Sequence, residues 1–164
     1  MLMNRAMHHV SETYGQAGNK WAQEVYSYMK GGTILDYGCG KGNLAKSLPF
    51  LSIDNYDPCI EGLDEEPEAH DYVVCTDVLE HVEPRCIDAV LKHIASLMRT
   101  GAFLVIATRP ANKNLPDGRN AHLIVEHWEW WEKLISRYFV IRRVGHNIKE
   151  KGEIAIWVSP LESS

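Results

Sequence analysis

The 164-residue chain has no apolar run approaching the roughly 20 residues that a membrane-spanning helix requires. Met1 to Val10 is polar, includes His8-His9 and lacks the apolar centre of a secretion signal, so a cytoplasmic protein is expected. There is no CxxC pair. Cys39, Cys59, Cys75 and Cys86 are scattered, which argues against a disulfide framework and for reduced, largely buried thiols. The histidines form no HExxH pattern, and His122 and His127, five apart, share no helical face. No metal is therefore expected. A basic stripe is also missing. Lys and Arg number 17 against 22 Asp and Glu, with net charge −5, and only Arg142-Arg143 and Lys149 to Lys151 cluster. A nucleic-acid backbone is thus disfavoured as partner. Neither an internal repeat nor a low-complexity tract occurs. What remains is 45% hydrophobic and 24% charged, the composition and length of one globular domain spanning 1–164.

Strands and helices alternate along that domain. Periodicity predicts a helix over Lys20 to Lys30, ended by Gly31-Gly32. Strands are expected at Thr33 to Tyr37, Leu51 to Tyr56, Tyr72 to Thr76 and Ala102 to Thr108, the last two as apolar runs buried on both faces. Asn43 to Leu48 reads as a short helix. Ile87, Val90, Leu91, Ile94, Leu97 and Met98 read as a longer one, opened by Pro84 and closed by Gly101. Glu126 to Tyr138 is expected to be helical, followed by strands at Phe139 to Val144 and Ile154 to Ser159 that pair antiparallel. The pattern is that of an α/β protein with an open, mostly parallel, doubly wound sheet and a C-terminal antiparallel strand pair. Residues 1–31 are expected to form a helical lid or substrate segment on a core at 33–159.

In such sheets ligands bind beyond the carboxyl ends of the strands. There stands Gly38-Cys39-Gly40-Lys41-Gly42, between a strand and a helix. Glycines allow a sharp turn and a close backbone approach to a ligand. The third glycine comes one residue too early for the dinucleotide pattern GxGxxG. Asp36, two residues before the first glycine, would repel a pyrophosphate and suits a ligand carrying an ammonium and a sulfonium. Asp57, 21 residues after Asp36, is placed to accept hydrogen bonds from ribose hydroxyls, with Asp54 as its competitor.

Asp36-Tyr37-Gly38-Cys39-Gly40-Lys41-Gly42 resembles motif I of the class I S-adenosylmethionine-dependent methyltransferases. Tyr56-Asp57-Pro58 is similar to their ribose-binding acid. Asp71 to Val82, containing Thr76-Asp77-Val78-Leu79-Glu80-His81-Val82, is similar to their fourth-strand motif in the small-molecule branch that resembles the ubiquinone O-methyltransferase group. The resemblance covers roughly Ile34 to Thr108. It implies a Rossmann-like sheet, S-adenosyl-L-methionine as cofactor, and a cofactor site drawn from Asp36, Tyr37, Gly38, Cys39, Gly40, Gly42, Asp57, Pro58, Thr76, Asp77 and Val78. One departure stands out. Only thirteen residues, Pro58 to His70, separate Asp57 from Asp71, too few for the usual helix, strand and helix. A fold trimmed after the second strand is expected, with Asp64 as a weak candidate for the adenine-binding acid.

On the acceptor side, His81 and His122 are candidate catalytic bases. Arg109 and Arg119 flank a long polar loop and could hold an anionic substrate, and Tyr14 and Trp21 of the N-terminal segment could close over it as a lid. Trp128, Trp131, Leu134 and Ile135 follow helical spacing, with Trp130 pointing elsewhere. The function expected is methyl transfer to an oxygen or nitrogen of a small molecule. A non-catalytic S-adenosylmethionine-binding module, or a nucleic-acid or protein methyltransferase, are the alternatives.

Overall fold

A computed structural model of the chain describes residues 20–146 and 152–162. Tyr14 lies outside them. The elements are α1 (Ala22–Met29), β1 (Ile34–Tyr37), α2 (Asn43–Ser47), β2 (Ile53–Tyr56), β3 (His70–Thr76), α3 (Ile87–Leu97), β4 (Met98–Ala107), α4 (Trp128–Ile135), β5 (Phe139–His146) and β6 (Glu153–Pro160). Two 3-10 turns, Leu79–His81 and Pro84–Cys86, lie between β3 and α3.

The strands form one six-stranded sheet in the order β2-β1-β3-β4-β6-β5. The first four are mutually parallel, while β6 runs antiparallel to both β4 and β5. Successive strand side chains point to opposite faces, and the sequence fills both with apolar groups. Leu35, Val73 and Leu104 meet Leu91 and Ile94 of α3 and Trp131 and Ile135 of α4. Their neighbours Ile34, Val74 and Phe103 meet Val25 and Met29 of α1 and Leu44 of α2. The predicted doubly wound, Rossmann-like sheet is thus present. Trp131, Leu134 and Ile135 are buried and Trp128 packs against the same cluster, whereas Trp130 is exposed. Trp21 packs edge-on against Phe103, which stacks on Trp157 with ring centroids 4.3 Å apart.

The shortened connection is also as expected. Neither helix nor strand lies between β2 and β3, so β2 is a sheet edge. Side chains pin the connection in place. Glu66 bonds His93 Nε2 at 2.8 Å, and His93 Nδ1 bonds the Tyr37 hydroxyl. His70 bonds Asp54 at 2.8 Å and the Glu68 carbonyl. A groove of about 520 Å³ beneath this connection is lined by Thr33, Asn55, Glu66, Ala69 and Arg99 and includes none of the glycine loop.

Among the element boundaries, the start of β4 departs most from expectation. Gly101 does not close a helix, since β4 begins three residues earlier at Met98. Gly101 lies inside the strand, and the position requires glycine because a Cβ there would meet the Val158 carbonyl oxygen of β6 at 2.7 Å. That is a sheet-packing requirement rather than a helix stop.

Candidate functional site

The glycine loop leaves β1 with positive φ at all three glycines: +77° at Gly38, +54° at Gly40 and +67° at Gly42. These values lie in the left-handed region, where side-chain-bearing residues are strained. Space demands glycine at Gly38 too, because an added Cβ would stand 2.4 Å from Val78 Cγ2. Val78, just past the end of β3, is therefore seated directly on the loop.

Asp57 secures that loop from the end of β2. Its carboxylate accepts the Gly40 N–H at 3.0 Å and the Cys59 N–H at 2.9 Å, and it is buried. Asp54 instead faces outward and pairs with His70. The geometry therefore favours Asp57 over its competitor. Asp36 lies beside Asp57, buried, with no hydrogen-bond partner for Oδ2. Burial, helped by the Asp57 charge, pushes its pKa up to about 7. An orphaned buried carboxylate behind a three-glycine turn fits a cationic, ribose-bearing ligand.

Other members of the predicted cofactor set do different work. The Tyr37 ring is in the core, against Tyr56 and His93, so its side chain braces the fold and does not face the loop. Cys39 is buried, its thiol donating to the Gly40 carbonyl, and burial pushes its pKa up. Thr76 ends β3 and is buried. Asp77 takes φ +56°, a left-handed turn that sends the chain over the strand end toward Leu79. Pro58 is half-buried in the turn after Asp57, and Asp64 is an exposed acid whose carboxylate accepts the Gly62 N–H.

Glu80 ties together the segments that carry His81 and His122. It is fully buried, and Oε1 accepts the Ala107 N–H at 3.0 Å. Its backbone carbonyl accepts the N–H groups of Leu123 and Ile124 at 2.7 and 3.0 Å. The turn after β3 is thereby tied to the end of β4 and to the segment before α4. Oε2 has no hydrogen-bond partner. Burial and the neighbouring Asp77 push the Glu80 pKa up to about 8. An acid inside an apolar stretch was the available signal.

His81 and His122, 41 residues apart, come together edge-to-face with ring centroids separated by 4.8 Å. Each is held by a backbone carbonyl. His81 Nδ1 bonds the Ala121 oxygen at 2.7 Å, and His122 Nδ1 bonds the Arg109 oxygen at 2.5 Å. Burial draws the His122 pKa below the usual imidazole value. Asn120 braces the intervening loop, accepting from Ala111 and His122 and donating to the Ala111 carbonyl.

The two arginines diverge. The Arg119 fork spans both oxygens of Glu83 at 2.8 and 3.1 Å, while its Nε donates to Asp117. It clamps this loop to the turn after β3 and is committed to carboxylates already present. Arg109 is exposed, its stem against Gly152.

Solved structures support the fold. The chain is similar to the 1,6-didemethyltoxoflavin-N1-methyltransferase of Burkholderia thailandensis, solved with 1,6-didemethyltoxoflavin and S-adenosylhomocysteine (TM-score 0.68, 15% identity, 96% of this chain and 85% of that one). It is also similar to the magnesium protoporphyrin IX methyltransferase of Synechocystis PCC 6803, solved with S-adenosylhomocysteine (TM-score 0.65, 16% identity, 90% and 83% covered). A Pyrococcus horikoshii OT3 protein aligns at TM-score 0.61 and 15% identity, with 93% of each chain covered. No curated protein matches the sequence. A family described as a methyltransferase domain matches residues 8–146. The chain belongs to the methyltransferase domain family.

Proposed function

We propose that this protein transfers a methyl group from S-adenosylmethionine to an oxygen or nitrogen of a small molecule. The observation that carries this reading is the pairing of Asp36 and Asp57 around a glycine turn, on the strand-end face that also presents the two histidines. Bound S-adenosylmethionine supplies a methyl already activated on a sulfonium sulfur. Asp36 supplies the carboxylate for its cationic end, the Gly38–Gly42 backbone allows close approach, and Asp57 accepts from the ribose. Asp77 and Val78 border the same turn.

The protein's remaining task is to hold the acceptor in line and exclude water. His81 and His122 assist loss of the acceptor's proton, and Arg109 receives an anionic group on the acceptor. Residues 1–19 of the segment expected as a lid lie outside the described residues, and its helix α1 packs Val25 and Met29 on the sheet. The Val78-Leu79-Glu80-His81-Val82 run supports kinship with the ubiquinone O-methyltransferase-like branch. The toxoflavin and porphyrin enzymes above act on small molecules, which supports the same acceptor class here. Among the described residues no helix is long and apolar enough to cross a membrane, in keeping with a cytoplasmic enzyme.

Incubation with a methyl-labelled donor and separate pools of small metabolites, nucleic acid and protein tests this reading. Label is expected in the small-molecule pool and lost from His81→Ala and His122→Ala. Label confined to nucleic acid or protein would overturn it.

A further inference from the structure

We propose that Glu80, His81 and His122 bind one divalent transition-metal ion of the zinc, cobalt or manganese class. Each residue offers one ligand atom, and these atoms lie within 4.8 Å of one another. Two imidazoles and a carboxylate are a donor set for borderline divalent ions, whereas magnesium and calcium prefer oxygen throughout. The absence of an HExxH pattern and the His122–His127 spacing told against a metal, but the fold joins His81 and His122, which are 41 residues apart.

The surroundings are those of a ligand set. Both rings engage a backbone carbonyl through Nδ1, the outer hydrogen bond that fixes a ligating histidine's tautomer and leaves the lone pair on Nε2. Glu80 is fully buried and held through Ala107, Leu123 and Ile124, yet Oε2 has no hydrogen-bond partner. Buried carboxylates are ordinarily paired, protonated or metal-bound. Among the described residues no lysine or arginine is ion-paired with Glu80, whose neighbour Asp77 is also acidic. Donors about 2.1 Å from a tetrahedral ion stand about 3.4 Å apart, so side-chain rotations of roughly an ångström close the cage.

Three protein ligands leave a coordination position open. An acceptor oxygen bound there would lose its proton more readily, the histidines then acting through the ion rather than as bases themselves. This use rests on the methyltransferase reading; the existence of the site does not.

Full-length protein stripped with EDTA and titrated with cobalt(II) tests it, read by visible absorption and by displacement with zinc. One equivalent is expected to give a saturable visible band. His122→Ala and Glu80→Gln should each weaken cobalt binding at least tenfold, while His127→Ala leaves it unchanged and S-adenosylhomocysteine still binds all variants. Absence of a one-equivalent band, or cobalt affinity unchanged from the parent in His122→Ala and Glu80→Gln, would overturn the proposal. Cobalt binding without S-adenosylhomocysteine binding would support this site and count against the methyl-donor reading instead.

Discussion

Asp36 sits behind the glycine turn as a buried acid with an unbonded oxygen, and its pKa is raised to about 7. A raised carboxylate pKa means that the folded state binds more protons than the unfolded chain between about pH 4 and 7. The Asp36 contribution to the stability of the ligand-free protein should therefore fall as pH rises through that window, by at most about 4 kcal/mol. Asp36→Asn should remove that contribution, leaving the part due to buried Glu80, and raise the melting temperature at pH 8, while weakening S-adenosylmethionine binding. Thermal melts across pH with parallel titrations check both signs; a variant less stable than the parent at pH 8 would refute the assignment. Asp36 and Asp57 were legible in the sequence because spacing from the glycines and strand ends marks them. Glu80 was not, because its role depends on Ala107, Leu123 and Ile124, which approach only in the fold. The pairing of Arg119 with Glu83 was not legible either, as Glu83 lies 36 residues away and nothing local announces the pair.

At the scale of elements, glycine positions separate two kinds of constraint. Gly38→Ala places a Cβ against Val78 at a φ of +77°, and both effects act together. A loss of about 2–4 kcal/mol in chemical denaturation is expected, together with loss of cofactor binding. Gly101→Ala pushes β4 from β6 at the Val158 carbonyl, with an expected cost of about 1–3 kcal/mol and cofactor affinity retained in the folded fraction. The alternation of strands and helices was readable because each apolar run carries its own period. The start of β4 was not. Met98 continues the helical spacing of α3, but pairing of His70 with Met98 draws it into the sheet. Tertiary pairing overrides local pattern there.

Across the whole molecule, the shortened β2-to-β3 connection makes β2 an edge and leaves the two apolar faces to carry the stability. Trp131, fully buried against the sheet, is the clearest probe of one face. Trp131→Ala should cost about 3–5 kcal/mol in urea denaturation without altering the glycine loop. The trimmed sheet was legible from a residue count alone. The meeting of His81 with His122, and of both with Glu80, required the closed chain. The central claim is that the glycine turn between Asp36 and Asp57 holds S-adenosylmethionine. Isothermal titration of the full-length protein with S-adenosylmethionine, S-adenosylhomocysteine and NAD tests it most directly. One-site binding of the first two is expected, weakened by about 1–3 kcal/mol in Asp57→Ala, with no binding of NAD. Binding of NAD with no response to either methyl-donor ligand would contradict it.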